Sequence, residues 1–139
     1  MNLITDRTYL DVLSRTEKGN YGPDDLNRVE SAVAQLIVLA KAAGVDINLV
    51  VKADWDYPEV FSADSWSTCG QMMRYLGNVN ELCNALDVSA RLPEKMEFLD
   101  YIGANQIEKA LLLTYERVKS ILQLFQHSGE VYAGEESGL

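Results

Sequence analysis

The stretch from Pro23 to Gly44, PDDLNRVESAVAQLIVLAKAAG, constrains the fold more than any other part of the chain. Proline suits a first helical turn, where its missing N–H would have no partner anyway. Asp24 and Asp25 suit the positive end of the helix dipole, and Gly44 suits the stop. Between these marks Leu26, Val29, Val33, Leu36, Ile37 and Ala40 recur at spacings of three and four, and Val38 and Leu39 widen the stripe. This pattern predicts a central helix that buries one face.

Two more long helices are expected around it. One covers about Ser65 to Leu86, with Cys69, Met72, Leu76, Val79, Cys83 and Leu86 as its seam and Gly77 weakening it slightly. The other starts near Asp100 and runs to about Phe125, with Ile107, Leu111, Val118, Ile121, Leu122 and Phe125 inward. Asp100 is a candidate cap for its start, and Asn105 with Glu108 offers a second capping pair one turn later. A shorter helix over Asp6 to Lys18 would pack through Tyr9, Val12 and Leu13 and end at Gly19. Val45 to Val51 alternates, with Val45, Ile47, Leu49 and Val51 on one side, which argues for a short strand; Glu130 to Ala133 is a candidate partner. Residues 92 to 99, with Pro93, read as a loop or a single turn.

The expected class is therefore mainly α: a bundle of three long helices plus a shorter N-terminal helix, with at most a small two-stranded β element. The 139 residues read as one helical domain, with a disordered acidic tail at 134–139. Seams of this spacing also serve subunit contacts, so a homo-oligomer is a possible assembly.

Composition narrows the class of function. Hydrophobic residues make up 47% and charged residues 24%, the balance of a globular chain that can bury a core without staples. A formal net charge of −9 repels phosphate backbones and anionic headgroups, so neither nucleic acid nor membrane is expected as a partner. The start MNLITDRTYLDVL has no basic region leading into an apolar one, and AVAQLIVLA at 32–40 is far shorter than the roughly 20 residues of a membrane span. The cytosol, with release on lysis, is the expected location. Cys69 and Cys83 suit that compartment as free buried thiols, because on one helix they stand about 21 Å apart.

Signatures of chemistry are sparse. His127 is the only histidine and reads as a cation near the end of the last helix. The chain holds no GxxxxGK[ST], GxGxxG, CxxC or GxSxG motif, and no catalytic, cofactor-binding or metal-binding residue is assigned. Paired carboxylates remain the one catalytic option. DWDYPEVFSADSW at 54–66 sets Asp54, Asp56, Glu59 and Asp64 among Trp55, Tyr57, Phe61 and Trp66, a mixture that sugar-binding clefts use. The competing expectation is a corner between packed helices, with Trp55, Phe61 and Trp66 closing the core and Asp64 capping the next helix. Trp55, Tyr57, Phe61 and Trp66 are the candidate interaction surface. Arg7, Arg28, Glu30 and Arg74 read as solvated or paired surface charges.

The segments DRTYLDV at 6–12, KGNYGPDDLNRVESAVAQL at 18–36, KADW at 52–55, QMMRYLGNVNELCNAL at 71–86, LPEKMEFLDYIGANQIEKAL at 92–111 and HSGEVYAGE at 127–135 occur in that order. Together they resemble a family of small structural, often tail-associated proteins encoded by phages and prophages of Gram-positive bacteria. DLNRV followed by MxRYLxNV is the most specific pair of words in that likeness. Gly22 with Pro23, a longer turn at 56–64, and Gly103 in place of a capping glutamate depart from the pattern.

The resemblance implies a non-enzymatic virion protein of the tail or its adhesion apparatus, with other virion proteins as partners, present in the host cytoplasm during assembly and then in the particle. It transfers no catalytic residue. It also suggests that Asp25, Asn27 and Arg28 tie the central helix to the preceding loop, and that Arg74 pairs with an acid such as Asp54. Asp54, Arg74 and Arg28 are thus a candidate structural polar tie. Two alternatives from other classes stay open: a carbohydrate-binding or carbohydrate-active module built on 54–66, and a cytosolic helical adaptor.

Overall fold

The structure is a computed structural model that describes residues 1–19, 21–56, 69–97 and 99–138. It is mainly helical. An extended N-terminal segment leads into α1 (Tyr9–Leu13) and a 3-10 turn at Glu17–Gly19; α2 (Pro23–Ala42), α3 (Cys69–Ala85) and α4 (Tyr101–Gly138) follow. Each of the three long helices contacts the other two.

α2 begins and ends where its punctuation predicts. Pro23 occupies the first turn, and the Asp25 carboxylate accepts a hydrogen bond from the Gly22 N–H at 2.9 Å. At the other end Gly44 turns to φ 86, which lets its N–H reach Lys41 O and the Val45 N–H reach Ala40 O. That pair of bonds is the Schellman arrangement, and the left-handed position is why glycine suits it. α3 ends the same way, with Asp87 at φ 56 and the Val88 N–H on Cys83 O at 2.8 Å. Asp100 does cap α4, accepting from the Gly103 N–H at 2.7 Å. A Cβ on Gly103 would stand 2.8 Å from Leu99 Cδ1 and 3.3 Å from that same carboxylate, so glycine fits where a glutamate was expected.

One apolar cluster joins the helices. Leu26, Val29, Val33, Leu36 and Ala40 of α2 pack with Tyr75, Val79 and Leu82 of α3 and with Ile107, Ala110, Leu111 and Val118 of α4. The α2 face is the expected one, except that Val38 is exposed. On α3 the face is rotated from the expected seam toward Tyr75 and Leu82, and Met72 and Leu76 sit at its margin. Leu92, Met96 and Leu99 pack against the cluster from the segment before α4.

Three expectations need correction. No strand forms among the described residues: 45–56 belongs to no regular element, and Glu130–Ala133 lies within α4. The alternation was nonetheless real, since Ile47 is buried, Val45, Leu49 and Val51 pack against the core, and Val50 is exposed. Side chains take the place of a second strand, because Arg74 Nη1 and Asn78 Nδ2 both donate to Val50 O, at 2.8 and 2.7 Å. α4 also runs well past Phe125, to Gly138, so His127 is not at its C-terminal end.

The third correction concerns α1, which is far shorter than Asp6–Lys18. Thr8 and Asp11 cap it reciprocally, Arg15 turns to φ 52, and the chain folds back so closely that a Cβ on Gly19 would lie 2.4 Å from Asp11 C. Its apolar residues do not reach the core: Tyr9, Leu10, Val12 and Leu13 are all exposed.

Candidate functional site

The polar residues singled out in the sequence converge on two buried ion-pair clusters. The first is built on Glu108, which is 0% exposed on α4. Its carboxylate accepts from Arg7 Nη2, from Arg28 Nε at 2.7 Å and Nη2 at 2.8 Å, and from the Ile4 N–H at 3.0 Å. Asp25 Oδ1 is shared by the same two arginines, at 3.1 Å from Arg7 and 2.6 Å from Arg28. Two cations thus face two anions, which is the condition for keeping charges out of water.

Arg7 is held on all sides. Its guanidinium also donates to Ile4 O and Lys18 O, and it lies 5.5 Å from the centre of the Tyr21 ring. Its backbone N–H and C=O are both matched by the Asn105 amide, at 3.0 and 2.9 Å. This backbone clamp explains why α1 does not begin at Asp6: the chain at Arg7 is committed to Asn105. Asn105 and Glu108 are therefore not a helix cap but the α4 half of a clasp on the N-terminal segment. Pairing with Glu108 and then Asp25 drives the Arg28 guanidinium further above its already high range.

The second cluster is built on Glu30 of α2, 1% exposed. Arg74 approaches it with both terminal nitrogens, Nη1 to Oε1 at 3.0 Å and Nη2 to Oε2 at 2.8 Å, and the Trp55 indole N–H donates to Oε2 at 2.9 Å. This forked pairing raises the Arg74 guanidinium in turn. Asn27 fixes the backbone of Trp55 from both sides, donating to its C=O at 2.9 Å and accepting from its N–H at 2.7 Å. The expected tie between Arg74 and Asp54 is not formed. Asp54 is exposed and pairs with Lys52 at 2.8 Å, which lowers its carboxyl below the usual range. Residues 54–56 are tied to α3 all the same, through Trp55, Glu30 and Arg74.

A phenol pair sits between the clusters. The Tyr21 and Tyr75 hydroxyls hydrogen-bond to each other in the interior. Burial pushes both phenols far above their ordinary value. Cys83, also buried, lies 3.7 Å from the Thr114 hydroxyl, and burial raises its thiol.

Trp55 is 4% exposed, so it is withdrawn from the proposed interaction surface and belongs to the core. Tyr57, Phe61 and Trp66 lie outside the described residues, as do Glu59 and Asp64. Arg7, Arg28, Glu30 and Arg74 are paired, one of the two expected readings, but buried or half-buried rather than at the surface. The readable signal was register: Glu30 stands four after Leu26 and three before Val33, and Glu108 four after Ala104 and three before Leu111, on the inward stripe of each helix. A carboxylate on such a stripe calls for a buried cation.

Among the described residues no buried side-chain nitrogen or oxygen lacks a partner, and no group of three metal-ligating side chains gathers. No described helix is long and apolar enough to cross a membrane. Comparison with family models, curated proteins and solved structures returns no match.

Proposed function

We propose that this chain is a structural protein of a phage or prophage virion, associated with the tail or its adhesion apparatus, and that it works by packing against other virion proteins rather than by catalysis. One observation carries the reading: the polar words that resemble the phage family are the words that build the interior. DRT supplies Arg7, DLNRV supplies Asp25, Asn27 and Arg28, KADW supplies Trp55, RYL supplies Arg74 and Tyr75, and GANQIEKAL supplies Asn105 and Glu108. A carboxylate that does acid–base work needs reach to a substrate proton. Asp25, Glu30 and Glu108 are instead saturated by arginines, amides and an indole.

The same geometry weakens the glycan alternative, since stacking on a sugar needs an open aromatic face and Trp55 is buried. The exposed apolar residues of α1 supply what a packing protein requires, a surface for a neighbour. The test is mass spectrometry of density-purified particles from an induced lysogen carrying this gene, with peptide counts scaled to a known tail protein. The reading expects the chain in fixed stoichiometry with that protein. Its absence from particles, with abundant free protein in the lysate, would overturn it.

A further inference from the structure

We propose that the groove between residues 89–91 and α4 is a docking site for an acidic peptide segment of a protein partner, in which Arg91 and Lys109 hold carboxylates while Ile102 and Leu113 meet apolar side chains. The inference rests on the reading of the chain as a packing protein and names the chemistry of one partner. The groove encloses about 530 Å³, within the size range of ligand sites. Its lining contains these two cations and no carboxylate.

That is a local reversal of sign. The chain carries 21 acidic and 12 basic residues, and half of the cations are spent on its own acids. Arg7, Arg28 and Arg74 serve the buried clusters, and Lys18, Lys52 and Lys95 pair with Asp6, Asp54 and Glu97. Arg91 and Lys109 are exposed and make no ion pair among the described residues. A partner segment bearing negative charge is disfavoured by the overall charge of −9 and attracted by the two cations of this acid-free groove, which selects its sign.

The apolar requirement comes from the groove's border. Ile102 lines it and is exposed, and its neighbour Tyr101 lies against Tyr9, ring centres 6.4 Å apart. Asn105 also lines it, but its amide is occupied by the Arg7 backbone, so the charged contacts fall to Arg91 and Lys109.

The probe is a fluorescein-labelled peptide, Asp-Leu-Glu-Glu-Phe-Asp, beside its Asn/Gln counterpart. Binding is read by anisotropy and located by amide shifts in the full-length protein. The proposal expects shifts at Ala90, Gln106 and Lys109, no binding of the amide counterpart, and loss of more than about tenfold in affinity in the R91E/K109E protein. It also expects weakening at ~0.5 M salt, where exposed charges are screened. Both substituted residues are exposed, so an unchanged melting curve checks that the variant folds. Silence of the groove residues at saturating peptide, or equal binding to R91E/K109E, would overturn the proposal. Competition by free inorganic phosphate as strong as by unlabelled peptide would also overturn it, reassigning the groove to a small anion. Wild-type protein found in particles together with a silent groove refutes the docking site alone and leaves the structural role standing.

Discussion

The two buried clusters use the same chemistry with different sets of partners. Around Glu108, two arginines and two carboxylates balance, and the Arg7 and Glu108 side chains are 2% and 0% exposed. Around Glu30, one arginine that is 18% exposed shares the carboxylate with a neutral indole N–H. The first joins residues about a hundred positions apart and holds the N-terminal segment on α4; the second holds the 50s segment between α2 and α3. Both carboxylates are closed to solvent, so each depends on its protein partners; Glu108 has two arginines and a backbone N–H, Glu30 one arginine and an indole. The Glu108 cluster, which ties together more charged groups, is therefore the more costly to break.

The comparison breaks most sharply at Glu108. Glu108→Ala leaves two arginines facing Asp25 alone and orphans the Ile4 N–H, so urea unfolding should show a loss of about 3–5 kcal/mol, the largest of this set. Arg74→Met removes the forked partner of Glu30 but leaves the indole, and about 1.5–3 kcal/mol is expected by the same measurement. Equal losses at the two sites would show that the number of charged partners does not matter here.

The phenol pair sharpens the contrast, because it is neutral. Tyr75→Phe leaves the Tyr21 hydroxyl buried without its partner and should cost about 1–3 kcal/mol, while the Tyr21→Phe/Tyr75→Phe double variant should cost less than the two single changes summed, in thermal or urea unfolding. The smallest expected effect lies outside both clusters. At the α3 end Asp87 holds the left-handed position that glycine holds at the α2 end, so Asp87→Gly should raise stability by about 0.5–1 kcal/mol and Gly44→Ala should lower it by about 1 kcal/mol. These two set the scale against which the buried changes are judged.

What could be read from the chain follows the range of the forces. The bounds of α2, the Gly44 stop and the Asp100 cap were legible because capping acts within four residues. The inward face of α2 was legible because its period is local. The charged partners of Arg7, Glu30 and Glu108 were not, since they lie 18 to 101 positions away, and a charged residue read singly defaults to solvent. Val45 to Val51 shows the same limit: alternation reported which side chains turn inward, but not whether a second strand or two side chains would satisfy the backbone at Val50. The exposure of Tyr9 and Leu13 was missed because an apolar stripe looks alike whether it meets the core or a neighbour.

If the charges around Glu108 act as one unit joining the N-terminal segment to the bundle, a double-mutant cycle on Arg7→Met and Glu108→Gln by urea unfolding should show a coupling of about 1–3 kcal/mol between the two sites, the double variant being less damaged than the sum of the singles. Additivity within about 0.5 kcal/mol would contradict it.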